Sequence, residues 1–335
     1  MPPATKNTTR LPRLALLMLI GAGLVACAGG PFKSRGLHYV ARSNDFVVVE
    51  VRRGDSLRSI AKAVLGNADR AWQIADFNQI DRLHRGQWVA VPLKPTSISG
   101  VTRHGYQTVP VLCYHRFGNG HMKLSVSAKQ FNQQMAYLHD NGYRVIRLED
   151  LAAFVHGERS LPRRSVVITI DDGYRSTYEK AFPVLKKYRF PATVFLYTDF
   201  VGGGDALTWS QVEKMAKSGL IEFQPHSATH SNLAIELPDE DRSDYEKRVV
   251  NEIAEPSTAI RKHVKSPLHA YAYPYGDTNE LVIQELEKHD YELGATVQPG
   301  GNPSFAYPFM LHRTMIFGDG DMEDFKQALQ TYKTV

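Results

Sequence analysis

The chain has 335 residues, 43% of them apolar and 10% aromatic, with a formal charge of +5. That length and apolar content exclude a disordered chain and leave room for one large domain plus a smaller one. Two cysteines, Cys27 and Cys113, exclude a disulfide-built scaffold; Lys6, Arg10 and Arg13 account for much of the net charge, so the basic balance gives no argument for nucleic acid.

Those three cations precede an apolar run from Leu14 to Ala26. A basic start followed by a core of this length reads as a signal peptide over residues 1–26 and is short for a membrane span. Leu24-Val25-Ala26-Cys27, followed by Ala28-Gly29-Gly30, resembles a bacterial lipobox. The resemblance implies a lipid on Cys27 and attachment to a membrane. Ala28 in place of an acid resembles sorting to an outer membrane, facing the periplasm. Residues 27–44, rich in Gly, Ser and basic side chains, read as a tether.

A compact unit is expected over residues 45–93. Phe46 to Val51 reads as a strand and Arg53-Gly54-Asp55 as a turn. Leu57, Ile60, Ala61 and Val64 then fall at helical spacing. Ala68, Trp72 and Ala75 mark a second helix, and Trp88 to Pro92 a closing strand. This βααβ order, with Gly54-Asp55-Ser56-Leu57, Trp72, Asn78, Gly86 and Val91-Pro92, resembles the LysM domain. The resemblance implies binding of glycans that contain N-acetylglucosamine. Residues 94–107, with Pro95, Ser97, Ser99 and Gly100, read as a linker.

From residue 108 to 335, apolar strands alternate with helices. Strands are expected at 108–115, 166–170, 191–197, 221–223, 270–273, 291–297 and 310–316. Helices are expected at 246–254 and 258–263, separated by Pro256, and at 321–332. The alternation argues for an α/β fold with a parallel sheet or a βα barrel. His115, Asp171-Asp172, His226 and Tyr275 each follow a different strand, and in a barrel such ends converge on one face.

Two neighbouring carboxylates repel, so Asp171-Asp172 at a strand end points to a cation. His226 and His230, four residues apart, share one side of a helical turn. Joined to a distant carboxylate they make a three-ligand site with open positions. Thr169-Ile170-Asp171-Asp172-Gly173, His226-Ser227-Ala228-Thr229-His230 and Tyr273-Pro274-Tyr275-Gly276 resemble the first three motifs of the polysaccharide deacetylase family, the NodB homology domain of carbohydrate esterase family four. The resemblance implies a distorted (β/α) barrel and removal of N-acetyl groups from an N-acetylhexosamine polymer, peptidoglycan or poly-N-acetylglucosamine. It implies a divalent metal on Asp172, His226 and His230, Zn²⁺ foremost, with Co²⁺, Ni²⁺ and Mn²⁺ suited to the same donors. It makes Asp171 the general base and the Tyr275 backbone N–H an oxyanion donor, flanked by Pro274 and Tyr273. Trp209, Tyr273 and Tyr275 are either a sugar-stacking wall or aromatic core.

Two positions depart from the family pattern. Ala272 stands where the family carries an arginine that positions the base, and Arg313 follows His312 where an aspartate is usual. The acid is therefore open between His312 and His115. The setting of His115 resembles the exopolysaccharide branch, whose last strand ends in an arginine such as Arg313. The same departures leave a second reading, a lipid-anchored glycan-binding protein without catalysis.

Overall fold

The computed structural model describes residues 36–94, 97–118 and 122–335. Cys27, the leader and the first part of the tether lie outside the described residues.

The smaller unit is a three-stranded antiparallel sheet, β1 (His38–Arg42), β2 (Phe46–Glu50) and β3 (Trp88–Pro92), covered by α1 (Leu57–Leu65) and α2 (Ala71–Asn78). Val47, Val49, Val89 and Val91 alternate inward onto Ile60, Ala61 and Ile74, and all seven are buried. Ser56 caps α1, its side chain accepting from the Ser59 N–H at 3.0 Å. The Asn78 amide donates to the Ala90 carbonyl and accepts from the Ala90 N–H, at 2.7 and 3.0 Å, which ties α2 to β3. Residues 38–42, read from sequence as tether, instead pair with β2.

In the larger unit four parallel strands run in the order β7 (Ile221–Pro225), β6 (Ala192–Leu196), β5 (Ser165–Ile170), β4 (Val109–Tyr114), with β10 (Thr314–Met315) on the far side of β4. A separate parallel pair, β8 (Ala270–Ala272) and β9 (Leu293–Ala295), stands between β7 and β10. The hydrogen-bonded ladder therefore does not close into the expected barrel. At the β7–β8 seam the Gln224 amide takes the place of a ladder: its oxygen accepts from the His269 and Ala270 N–H groups at 3.1 and 3.2 Å. At the other seam only an isolated bridge, Ala295 to Leu311, joins the strands among the described residues.

The period of two along the strands separates two environments. Leu112, Tyr114, Ile168 and Ile170 pack outward on α3 (Ala128–Asp140), α5 (Phe182–Tyr188), α6 (Trp209–Lys217), α7 (Arg242–His263) and α8 (Glu280–Lys288) in one large core. Val109, Val111 and Val167 pack on α4 (Leu148–Val155), which plugs the inner face at the amino ends of the strands. Cys113, Thr169 and Asp171 continue that inner row toward the carboxyl ends, where it turns polar.

Three further segments differ from the sequence expectation. The final helix is α9 (Met322–Gln327), after which Tyr332–Thr334 pairs with Gly105–Gln107, inside the expected linker. Helix α7 runs unbroken through Pro256. A helical proline has no N–H for the carbonyl four residues back, and here the Tyr271 hydroxyl donates to that Glu252 carbonyl at 3.2 Å.

Candidate metal and hydrolytic site

Asp171 and Asp172 follow β5 directly. The Asp171 N–H donates to the Tyr114 carbonyl at 2.8 Å, which extends the strand pairing by one step. Asp172 then takes a left-handed backbone, φ 71°, and turns its carboxylate back over the strand ends. Gly173 must be glycine: a Cβ there would sit 2.4 Å from Leu196 Cδ2, at φ +82°.

His226 ends its own strand connection, its N–H donating to the Leu196 carbonyl at 2.7 Å. The segment to His230 is a loop rather than the expected helical turn. Ser227 and His230 both have left-handed backbones, at φ 75° and 68°, and the Ser227 hydroxyl accepts from the His230 N–H at 2.8 Å. The two rings end 4.9 Å apart, nearly perpendicular.

The donor atoms converge. His226 Nε2 is 3.7 Å and His230 Nε2 3.5 Å from Asp172 Oδ1. Tetrahedral ligands at the usual zinc bond lengths lie about 3.4 Å apart. Asp172 Oδ1 is buried and has no hydrogen-bond partner. Burial lowers the His226 imidazole to about 4 and also lowers His230, so both rings are neutral near pH 7 and these contacts are not ion pairs. Burial likewise pushes the Asp172 carboxyl up to about 6, with Asp171 adding to the rise and His115 opposing it. His226 Nδ1 lies 2.7 Å from the Ala272 carbonyl, an acceptor, which leaves the Nε2 lone pair facing Asp172. Two neutral imidazole nitrogens and one orphaned carboxylate oxygen fit a divalent cation.

Asp171 is buried beside this group but is committed elsewhere. Arg313, fully buried, donates from Nη1 to Oδ1 at 2.7 Å and from Nη2 to Oδ2 at 2.8 Å. The guanidinium is itself held by the Thr296 carbonyl and Thr169 Oγ1. Arg313, just before β10, thus supplies a cation to Asp171 that Ala272 cannot. Burial alone would raise the Asp171 carboxyl, but Arg313 and the nearby imidazoles hold it well below the usual carboxylate range. Cys113 Sγ donates to Asp171 Oδ2 at 3.4 Å, and burial pushes that thiol up, so it stays a thiol. A ring nitrogen of half-buried His115 lies within 4.8 Å of both Cys113 Sγ and an Asp171 oxygen.

The other sequence candidates separate. His312 is not brought to this group. It precedes the inward Arg313 and so points to the opposite side of the chain, and a Cβ on Gly300 would meet its Nδ1 at 2.6 Å. Tyr273 is fully buried, its hydroxyl donating to the Phe309 carbonyl at 2.9 Å, so it offers no face to a sugar. Pro274 is buried beneath the turn. Tyr275, by contrast, is 62% exposed, its ring 4.8 Å from that of His230. It is the middle residue of the turn Pro274–Gly276 and has a left-handed backbone, φ 61°. Trp209 stacks on His263 at 4.2 Å and belongs to the α6–α7 packing. Tyr197 and Phe200, unnoticed in the sequence, supply the aromatic neighbours instead. Tyr197 lies 5.2 Å from the His230 ring and stacks on Phe200 at 5.0 Å.

A polysaccharide deacetylase family model matches residues 158–294. YxkH of Bacillus subtilis, assigned as a polysaccharide deacetylase, is 31% identical over 210 residues, which are 62% of this chain and 71% of that protein. The poly-beta-1,6-N-acetyl-D-glucosamine N-deacetylase of Escherichia coli K12 is 27% identical over 242 residues, covering 62% of this chain; the chain spans only 36% of that relative's length. Among solved structures, the Streptococcus pyogenes deacetylase PplD in complex with acetate superposes with a TM-score of 0.60 at 25% identity, over 67% of this chain and 98% of that one.

Proposed function

The chain belongs to the polysaccharide deacetylase family, metal-dependent hydrolases of N-acetyl amide bonds, and from that premise we propose that it deacetylates a polymer of N-acetylglucosamine at the bacterial cell envelope. The observation that carries this reading is the orphaned, buried Asp172 Oδ1 facing two Nε2 lone pairs.

Asp172, His226 and His230 would hold a divalent cation, Zn²⁺ foremost, which when bound supplies Lewis acidity toward the acetamide carbonyl. The remaining work falls to the chain's own groups. Asp171, kept ionised and fixed in orientation by Arg313, accepts the proton of the attacking water. The Tyr275 backbone N–H donates to the oxygen on which charge develops. His115 delivers a proton to the nitrogen as the carbon–nitrogen bond breaks, so that water and amide become acetate and amine. The alternation that turns His312 away favours His115 for this role.

The named activity of the Escherichia coli relative and the position of His115 favour a poly-β-1,6-N-acetylglucosamine type of substrate over peptidoglycan. Residues 45–93 are proposed as a LysM glycan-binding module, and Cys27 as the lipidated residue that anchors the protein to the outer membrane, facing the periplasm. The test is acetate release by the purified protein from both polymers in parallel, with elemental analysis of the same sample. Release from the exopolysaccharide with metal bound supports the reading. Release from peptidoglycan alone reassigns the substrate, and no release under any metal supplementation leaves a glycan-binding protein.

A further inference from the structure

Helix α7 buries a carboxylate against the histidine loop. Glu252 is 5% exposed. Its Oε2 accepts from the Ala228 and Thr229 backbone N–H groups at 2.8 and 2.9 Å, and its Oε1 from the Thr229 hydroxyl at 2.5 Å. Both N–H groups lie between His226 and His230. A buried carboxylate is costly unless donors satisfy it, and these three do so. The loop in turn needs the carboxylate. Ser227 and His230, flanking these donors, both hold left-handed backbones that L-residues adopt only when their surroundings impose it.

The backbone of Glu252 is fixed as well. Pro256 frees the Glu252 carbonyl, and the Tyr271 hydroxyl takes it. Within the loop the Ser227 hydroxyl accepts from the His230 N–H. One residue of α7, itself held from β8, therefore grips the loop at Ala228 and Thr229.

We propose that Glu252 is a positioning residue for the metal centre, fixing the backbone between the two histidines so that both Nε2 atoms converge on Asp172. This rests on the reading of Asp172, His226 and His230 as metal ligands. Glu252 touches neither the donor atoms nor substrate, and its effect is on the shape of the site.

The experiment measures Co²⁺ affinity by competition with a chromophoric chelator, the Co²⁺ absorption spectrum, and the thermal midpoint of the metal-free protein. It compares the full chain with Glu252→Gln, Glu252→Ala and His230→Ala. Outer partners of metal ligands typically change affinity by roughly 10–100-fold. Glu252→Ala is expected near the upper end of that range with an altered spectrum, and Glu252→Gln, which keeps the volume and loses the charge, near the lower end. A merely structural contact would lower the midpoint and leave affinity and spectrum as in the wild type. Unchanged Co²⁺ affinity in both Glu252 variants, with binding lost in His230→Ala, overturns the proposal. Should Glu252→Ala not fold, Glu252→Gln decides alone, wild-type affinity again overturning it. Unchanged binding in His230→Ala overturns the ligand reading itself.

Discussion

Replacing Arg313 by methionine tests how Asp171, the proposed general base, is held. The substitution keeps most of the side-chain volume and removes the fork that donates twice to Asp171. Burial, the largest influence on this carboxyl, then acts without its main opponent. Fully buried acids rise by about 3–5 units, which carries Asp171 to roughly 7–9. At pH 7 between about half and one per cent of it would be ionised, so ionisation alone lowers the rate by roughly 2- to 100-fold. The acidic limb of acetate release against pH should therefore move upward, and part of the loss should return at pH 9. Where Asp171 is forced to ionise, an unpaired buried charge costs about 3–5 kcal/mol of stability. Arg313→Met with Asp171→Asn removes both charges and should regain most of that stability with no gain in activity. An Arg313→Met protein with a wild-type acidic limb and a wild-type unfolding midpoint would refute the reasoning.

Other substitutions probe other parts of the site. Asp171→Asn should retain metal by elemental analysis and lose most turnover; wild-type turnover removes Asp171 as the base. His115→Ala should cost at least about 100-fold in turnover, the usual scale for a lost proton donor, while His312→Ala stays near wild type, and the reverse ranking reassigns the acid. Far from the metal, His269 Nε2 lies 2.6 Å from Glu222 Oε1, and although burial opposes it, that partner raises the imidazole above its ordinary value. A raised histidine adds stability that is complete below about pH 6.5 and fades as pH climbs through its folded value. Glu222→Gln should therefore cost roughly 1.5–3 kcal/mol at pH 5.5, the scale of a hydrogen bond to a charged group, and less at pH 9. An equal loss at both pH values by denaturant unfolding would contradict the assignment.

The grouping of Asp172, His226 and His230 was legible because each lies past a strand end, and a parallel sheet gathers such positions without regard to sequence distance. What holds these groups and Asp171 in place was legible only in part. Arg313 meets Asp171 across 142 residues, and in the sequence it reads both as a departure after His312 and as the arginine that ends the last strand of the exopolysaccharide branch, with no partner indicated. The alternation of Leu311 and Arg313 was the available signal, since it turns Arg313 inward and His312 away. Ala272 gives no side-chain signal because its part is played by a backbone carbonyl that any residue supplies. The four-residue spacing of His226 and His230 fits a helical turn equally well, and the contacts that hold the loop instead, from Glu252, Thr198 and Asp199, come from distant segments. Pro256 read as a break because the Tyr271 hydroxyl that replaces its missing hydrogen bond comes from another strand. The barrel failed to close for a related reason, a side-chain amide at Gln224 standing where periodicity anticipates a backbone ladder.

The most direct measurement is acetate released from a β-1,6-linked N-acetylglucosamine oligomer by protein stripped with chelator and then titrated with Zn²⁺ or Co²⁺. Release should vanish on stripping and return as one equivalent of metal is restored. Full activity in the stripped protein, with no bound metal by elemental analysis, would contradict it.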